Sequence, residues 1–86
     1  MEIEKKTTKE YFDLIKTGKK KFDVRLADWE CREGDILILK EWDPKNKTYT
    51  GREIRKKVGF VLKTKNLNFF DKKNIDKYGF QVISLD

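Results

Sequence analysis

The sequence predicts an α+β, mainly β fold, a compact β-barrel with one main N-terminal α-helix. Three observations predict it: one segment has apolar residues at helical spacing, several short segments have the patterns of strands, and no βαβ rhythm is visible. The chain has 86 residues, which is fewer than two separate cores need. We therefore expect a single domain over residues 1–86.

The first predicted elements are a short strand over residues 1–6 and a helix. Thr7 and Glu10 have the spacing of a capping box, and apolar residues recur at helical spacing after them. Gly18 lies where a residue in the left-handed conformation ends a helix. The pattern predicts the helix over residues 8–17.

The other predicted elements are strands. Residues 20–26 alternate apolar and charged side chains, which predicts a half-buried strand, and the apolar run 35–42 predicts a strand covered on both faces. Residues 48–50 fit the return strand of a hairpin, and residues 52–64 fit one long strand. Residues 79–85 resume the pattern and predict a closing strand.

Composition narrows the classes of function. The formal net charge is +6, which favours a polyanionic partner, although a solvated Lys/Glu-rich surface explains part of the same excess. The chain has no histidine and one cysteine, Cys31, so neither a zinc tetrad nor a Cys/His or Ser/His/Asp catalytic set can be assembled. We expect no metal, no disulfide, no membrane partner and a reducing, cytoplasmic location.

Four ordered motifs carry a family resemblance. They are Gly18-Lys19-Lys20-Lys21-Phe22-Asp23-Val24-Arg25, Gly34-Asp35-Ile36-Leu37, Glu41-Trp42-Asp43-Pro44 and Tyr49-Thr50-Gly51-Arg52-Glu53-Ile54. Together they resemble the ASCH branch of the PUA-like superfamily, and more narrowly a small single-domain member of the domain-of-unknown-function type. The resemblance implies a five- to six-stranded β-barrel. It also implies a cleft for RNA or a modified nucleoside beside the first motif, lined here by Lys20, Asp23 and Arg25.

The same branch includes small amidohydrolases that deacylate N4-acetylcytidine-type nucleosides with a lysine, a threonine and a glutamate. Lys20 falls on the lysine position, but Asp23 stands at the threonine position. The segment that supplies the glutamate in those enzymes offers Asp71 and Asp76 here. The resemblance therefore implies Lys20 and Asp23 as catalytic residues if the protein is an enzyme.

Tryptophan and tyrosine side chains give further candidates for a nucleotide site. Trp29 lies in a polar loop, where an indole can stack on a base or pack over the barrel end. Trp42 ends a predicted buried strand, which favours closure of the core, with a cleft wall as the alternative. Tyr49 in the hairpin has the same two interpretations.

Three charged residues complete the candidate site. Lys40 and Glu41 flank Trp42 and are candidate cleft groups, and Arg52 either contacts phosphate or pairs with Asp43. The first hypothesis is thus a monomeric module that binds RNA or a nucleotide-like ligand without a cofactor. The alternatives are the amidohydrolase described above and an adaptor that binds another protein.

Overall fold

The computed structural model describes residues 1–85, and its centre is a three-stranded sheet. The strands are β1 (Glu2–Thr8), β2 (Ile36–Asp43) and β3 (Thr48–Lys57), and β2 lies in the middle. β1 runs parallel to β2, and β3 runs antiparallel to it. Because β2 has a neighbour on both edges, its residues include some of the most buried side chains of the described chain.

The first helix, α1 (Lys9–Lys16), follows β1 and confirms the helix predicted over residues 8–17. Gly18 has φ 81°, the left-handed conformation expected just past a helix end. The predicted capping box is wrong, because Thr8 is the N-cap residue and makes no side-chain cap bond. Since β1 and β2 are parallel neighbours joined through α1, the fold contains a βαβ connection that the sequence pattern did not indicate.

The pairing registers divide the sheet into two faces. Side chains of paired residues share a face, and successive residues along a strand point to opposite faces. The face that includes Thr7, Leu39, Glu41 and Ile54 is here named the inner face. Phe12 and Ile15 of α1, which are 1% and 5% exposed, form the core together with Leu39, whereas the buried side chain of Ile38 lies on the opposite face.

The predicted five- to six-stranded barrel is wrong, because the sheet is open and has three strands. Residues 20–26 and 79–85 are not strands, and the long strand predicted over residues 52–64 ends at Lys57. Lys57 pairs with Ile36, the first residue of β2, and within residues 1–85 the backbone hydrogen bonds of this pairing continue only as far as Val58, which bonds to Gly34 and Asp35. Alternation indicates that a segment has two different faces, but a strand also needs a backbone to pair with.

The C-terminal part of the described chain forms two short helical elements. A 3₁₀ helix spans Thr64–Asn66, and α2 spans Lys72–Tyr78, where the sequence pattern indicated no regular element. The Asp71 side chain caps α2 by accepting a hydrogen bond from the backbone N–H of Lys73. The sequence of α2 lacks the apolar stripe by which amphipathic helices are predicted, and none of its residues is buried.

Candidate functional site

The segment that follows α1 is held against the sheet by Arg25. Its Nη1 donates to the backbone carbonyl of Lys6 at 2.7 Å, and its Nη2 donates to the Thr7 hydroxyl at 2.9 Å. Lys6 and Thr7 belong to β1, and Thr7 is only 5% exposed. Arg25 thus fixes residues 20–26 beside the sheet through its side chain, although these residues form no strand.

Lys20, Asp23 and Arg25 form one cluster, as the sequence predicted. Arg25 Nε donates to Asp23 Oδ2 at 2.7 Å, and Lys20 Nζ lies 3.7 Å from Asp23 Oδ1. The Lys20 ammonium also donates to the Phe22 carbonyl at 3.0 Å and lies 5.1 Å from the centre of the Tyr11 ring. Both members of the Lys20–Asp23 pair are mostly buried, with side chains 13% and 19% exposed. The three side chains therefore have fixed positions.

This cluster lines a cavity of about 710 Å³, here named the basic cavity. The cavity lies between residues 18–31, the inner face of the sheet, and the chain that leaves β3 at residues 56–63. Its apolar wall consists of Ile15, Phe22, Leu26, Ala27, Leu37, Leu39, Val58, Phe60, Val61 and Leu62. Its charged lining consists of Lys20, Lys21, Asp23, Arg25, Lys56, Lys57 and Lys63. The lining residues thus include six cations and one carboxylate on a largely apolar wall, and Lys63 is also paired with Glu30 at 3.9 Å.

Trp29 also lines the basic cavity and is half-buried. The Lys5 ammonium lies 3.9 Å from the centre of its indole ring, a cation–π contact between the loop and β1. The contact fixes the indole at the cavity wall. Packing over a barrel end is wrong, because the sheet is open, whereas an indole covered by Lys5 on one face can still stack on a ligand with the other.

Glu41 and Arg52 belong to a different cluster on the inner face. Arg52 donates to both carboxylate oxygens of Glu41, at 3.0 and 2.6 Å, and to Asp13 at 2.7 Å. The Thr50 hydroxyl donates to Glu41 at 2.6 Å. Arg52 therefore pairs with Glu41 and Asp13 and not with Asp43, the alternative that the sequence suggested. Neither Glu41 nor Arg52 lines the basic cavity.

A bulge in β3 brings both donors to Glu41. Three residues, Thr50 to Arg52, stand opposite Glu41 alone between the paired positions on either side, and Gly51 there has φ 95°. The Arg52 and Thr50 hydrogen bonds lower the pKa of Glu41 from 4.5 to about 2. The carboxylates of Glu41 and Asp13 in turn raise the pKa of Arg52. This cluster, here named the Glu41–Arg52 cluster, links β2, β3 and α1 through charged hydrogen bonds.

Lys40, Trp42 and Tyr49 lie on the outer face, away from the basic cavity. Alternation along β2 places Lys40 and Trp42 opposite to Leu39 and Glu41, and Tyr49 is the residue paired with Trp42. Of the nine candidate residues, these three and the Glu41–Arg52 pair therefore lie outside the basic cavity. The structure brings together Lys20, Asp23, Arg25 and Trp29 and separates the other five.

Two further groups in the cavity wall were not among the candidates. Cys31 lines the cavity, and burial together with the carboxylate of Asp35 raises the pKa of its thiol. Lys56, Lys57 and Lys63 lie in the part of the wall formed by the end of β3 and the chain that follows it. Their concentration of positive charge was visible in the sequence, but their approach to the first motif depends on the sheet.

The residues that the structure describes contain no group of three metal-ligating side chains suited to a metal ion. None of the helices within residues 1–85 has the length and hydrophobicity needed to cross a membrane.

The protein is thus an α+β domain with an open mixed sheet and a basic cavity against its inner face. The family described as a domain of unknown function (DUF3850) matches residues 4–75, and the chain belongs to that family. The chain is also similar to an uncharacterized 12.9 kDa protein in the GpA 3′ region of Escherichia phage P2. The two are 40% identical over 48 residues, which is 56% of this chain and 42% of the phage protein. No solved structure matches the chain.

Proposed function

We propose that the protein binds single-stranded RNA or a nucleotide-like ligand in the basic cavity. The observation that carries the proposal is that Lys20, Asp23, Arg25 and Trp29 line one cavity together with three lysines from the end of β3 and beyond it. Its volume lies within the range of roughly 300 to 1,000 Å³ that is usual for small-molecule sites.

The wall offers separate contacts for a base and for phosphates. Trp29 and the apolar side chains supply a surface on which a base stacks, a contact of about 1–3 kcal/mol per base. Lysine and arginine side chains favour phosphate oxygens, since charge-assisted hydrogen bonds are about twice as strong as neutral ones. The Asp23 carboxylate adds an acceptor for an amino group on a base edge, the polarity that cytosine or adenine presents.

Replacement of Lys20 tests the proposal, because its neighbour Lys19 provides a matched control. Both residues are lysines in the same segment, but Lys19 is exposed and does not line the cavity. Lys20→Ala is expected to weaken binding of a short RNA about tenfold, the loss of one hydrogen bond to a charged group. Lys19→Ala is expected to change the dissociation constant less than about twofold. Equal effects of the two substitutions would contradict a site at the cavity.

Hydrolysis of an acylated nucleoside is the second candidate function. It is favoured by one observation: Lys20 Nζ and Asp23 Oδ1 lie 3.7 Å apart in the cavity wall, so that a lysine and a carboxylate face the same bound substrate, with room for one water to relay a proton. Water would add to the acyl carbon of N4-acetylcytidine, and the carbon–nitrogen bond would break to give acetate and cytidine. Acetate release abolished in Lys20→Ala would support this activity. No release above buffer would exclude it.

A further inference from the structure

We propose a second contact site, on the outer face of the sheet, for unpaired bases of the same single-stranded nucleic acid. The site consists of Trp42, Tyr49, Lys6 and Lys40, here named the aromatic patch. The inference rests on the proposed function in one respect, namely that the ligand is nucleic acid. The basic cavity and the aromatic patch lie on opposite faces of one thin sheet, so a strand that passes its edge can reach both.

Trp42 and Tyr49 are cross-strand partners in β2 and β3. Their ring centres are 4.9 Å apart and their planes are inclined by 75°, so the edge of one ring meets the face of the other. Tyr49 is 44% exposed and Trp42 is half-buried. An exposed ring supported by a second ring is a rigid stacking surface, and every base has a face that can stack on it.

Two ammonium groups surround these rings. Lys6 Nζ lies 3.9 Å from the centre of the Trp42 ring and 6.0 Å from that of Tyr49, and Lys40 Nζ lies 5.0 Å from that of Tyr49. Lys40 also pairs with Glu4 at 3.5 Å, whereas Lys6 has no carboxylate partner among the described residues. Both ammonium groups lie over ring faces, so a base that stacks there displaces them, and their long side chains can then reach the phosphate of the same nucleotide.

The adjacent hairpin turn adds positive charge. Lys45 and Lys47 are exposed there, and the only carboxylate within the turn, Asp43, accepts hydrogen bonds from the backbone N–H groups of Lys45 and Asn46 and from the Asn46 side chain. Asp43 is therefore committed to the turn. Lys6, Lys45 and Lys47 therefore make this end of the patch positive. Positive charge favours a polyanion such as nucleic acid over an uncharged apolar partner.

The two tryptophans make the two sites separately observable. Trp29 lines the basic cavity and Trp42 belongs to the aromatic patch. Trp29→Phe leaves Trp42 as the only indole, and Trp42→Phe leaves Trp29. Each variant is titrated with cytidine monophosphate and with a single-stranded RNA of about ten nucleotides, a length typical of one small binding domain. The measured quantities are the quenching of tryptophan fluorescence and the dissociation constant.

We expect RNA to quench both reporters and cytidine monophosphate to quench Trp29 alone. Tyr49→Ala in the Trp29→Phe background is expected to weaken RNA binding about fivefold, whereas Tyr49→Phe retains the ring and the affinity. Because Tyr49→Ala can loosen the hairpin, Lys6→Gln serves as a second variant that leaves both rings in place, with the same expected direction. Circular dichroism checks that each variant retains its fold.

The possible outcomes separate the two proposals. If RNA quenches Trp29 while Trp42 does not respond, the aromatic patch is not a site and the proposed function stands. If Trp42 responds and Trp29 does not, the patch stands and the cavity proposal fails. If neither responds at saturating RNA, both fail. Equal quenching of Trp42 by polyglutamate would show binding by charge alone and would overturn the assignment to bases.

Discussion

Arg25 is the residue on which the geometry of the cavity depends most. It contacts Asp23 beside it in the loop and two positions of β1, Lys6 and Thr7. A lysine cannot make these three contacts, because its ammonium is a single point and the guanidinium is a planar fork. Arg25 thus holds residues 20–26 beside the sheet, and the contact of Lys5 with Trp29 does the same further along the segment. Sequence reasoning selected Arg25 as a ligand-binding residue, whereas its contacts also give it a positioning role.

Glu41 makes stability depend on pH at the residue scale. Its pKa is lowered from 4.5 to about 2 in the folded protein, so the folded state favours the carboxylate. A lowered pKa stabilises the fold above about pH 4.5, and this contribution is lost as the pH falls from there towards 2. We expect Glu41→Gln to lower the melting temperature at pH 7 and to flatten its dependence on pH over that interval.

Thermal unfolding followed by circular dichroism from pH 7 to pH 2 measures this effect. Glu33→Gln is the matched control, because Glu33 is exposed in a loop and forms neither a hydrogen bond nor an ion pair with Arg52. If the melting temperatures of Glu41→Gln and the wild type differ by the same amount at pH 2 as at pH 7, the charge of Glu41 in the Glu41–Arg52 cluster does not stabilise the fold.

Cys31 is an internal probe of the cavity. Burial and the nearby carboxylate of Asp35 raise the pKa of its thiol, so less thiolate is present at neutral pH than in free cysteine. We expect iodoacetamide to alkylate Cys31 more slowly than free cysteine at pH 8, and RNA to slow the reaction several-fold further. Mass spectrometry of the intact protein measures the rate. An unchanged rate at saturating RNA would mean that the ligand binds elsewhere.

At the scale of elements, the local sequence pattern predicted those helices and strands that are determined by residues close together in the chain. The helix α1 and the strand β2 were predicted nearly in full, since each has a buried apolar stripe or run and clear end signals. The closed barrel failed because residues 20–26 and 79–85 alternate like strands without a backbone partner. For the site, the cluster around Asp23 was predicted from a short segment, whereas the face of each β2 side chain depended on strand pairing.

Hydrogen exchange distinguishes the open sheet from a barrel. Amides of β2 are bonded on both sides and next to the core, so we expect them to exchange slowest. Amides of residues 80–85 form no backbone hydrogen bond among the described residues, and we expect them to exchange near the rate of an unfolded chain. NMR after dilution into D₂O measures both. If residues 80–85 were as protected from exchange as β2, they would form a closing strand, and the open sheet would be wrong.

At the scale of the whole molecule, the distribution of charge matters more than its total. The net charge is +6, and six of the 21 lysine and arginine residues line one cavity. The chain is also extended, with a radius of gyration of 14.7 Å, whereas a compact domain of this length has about 12 Å. The C-terminal residues therefore contribute little to the core, and the sheet with α1 carries the proposed sites.

Salt dependence tests whether the cavity lysines contact phosphate. The logarithm of the association constant for a single strand falls with the logarithm of salt concentration by about 0.7 per phosphate neutralised. We expect Lys56→Ala, whose side chain shares the inner face with Leu37, to reduce this slope by about 0.7. Lys72→Ala, which removes the same charge from the exposed helix α2, is expected to leave it unchanged. Equal changes in both variants would indicate attraction to total charge only.

The most direct test of the central claim is an NMR titration of the ¹⁵N-labelled protein with a short single-stranded RNA. If the basic cavity is the ligand site, the largest shifts fall on amides of residues 20–31 and 56–63, and cytidine monophosphate shifts a subset of the same amides. Shifts spread evenly over exposed lysines, or concentrated in α2, would contradict the assignment of the cavity as the binding site.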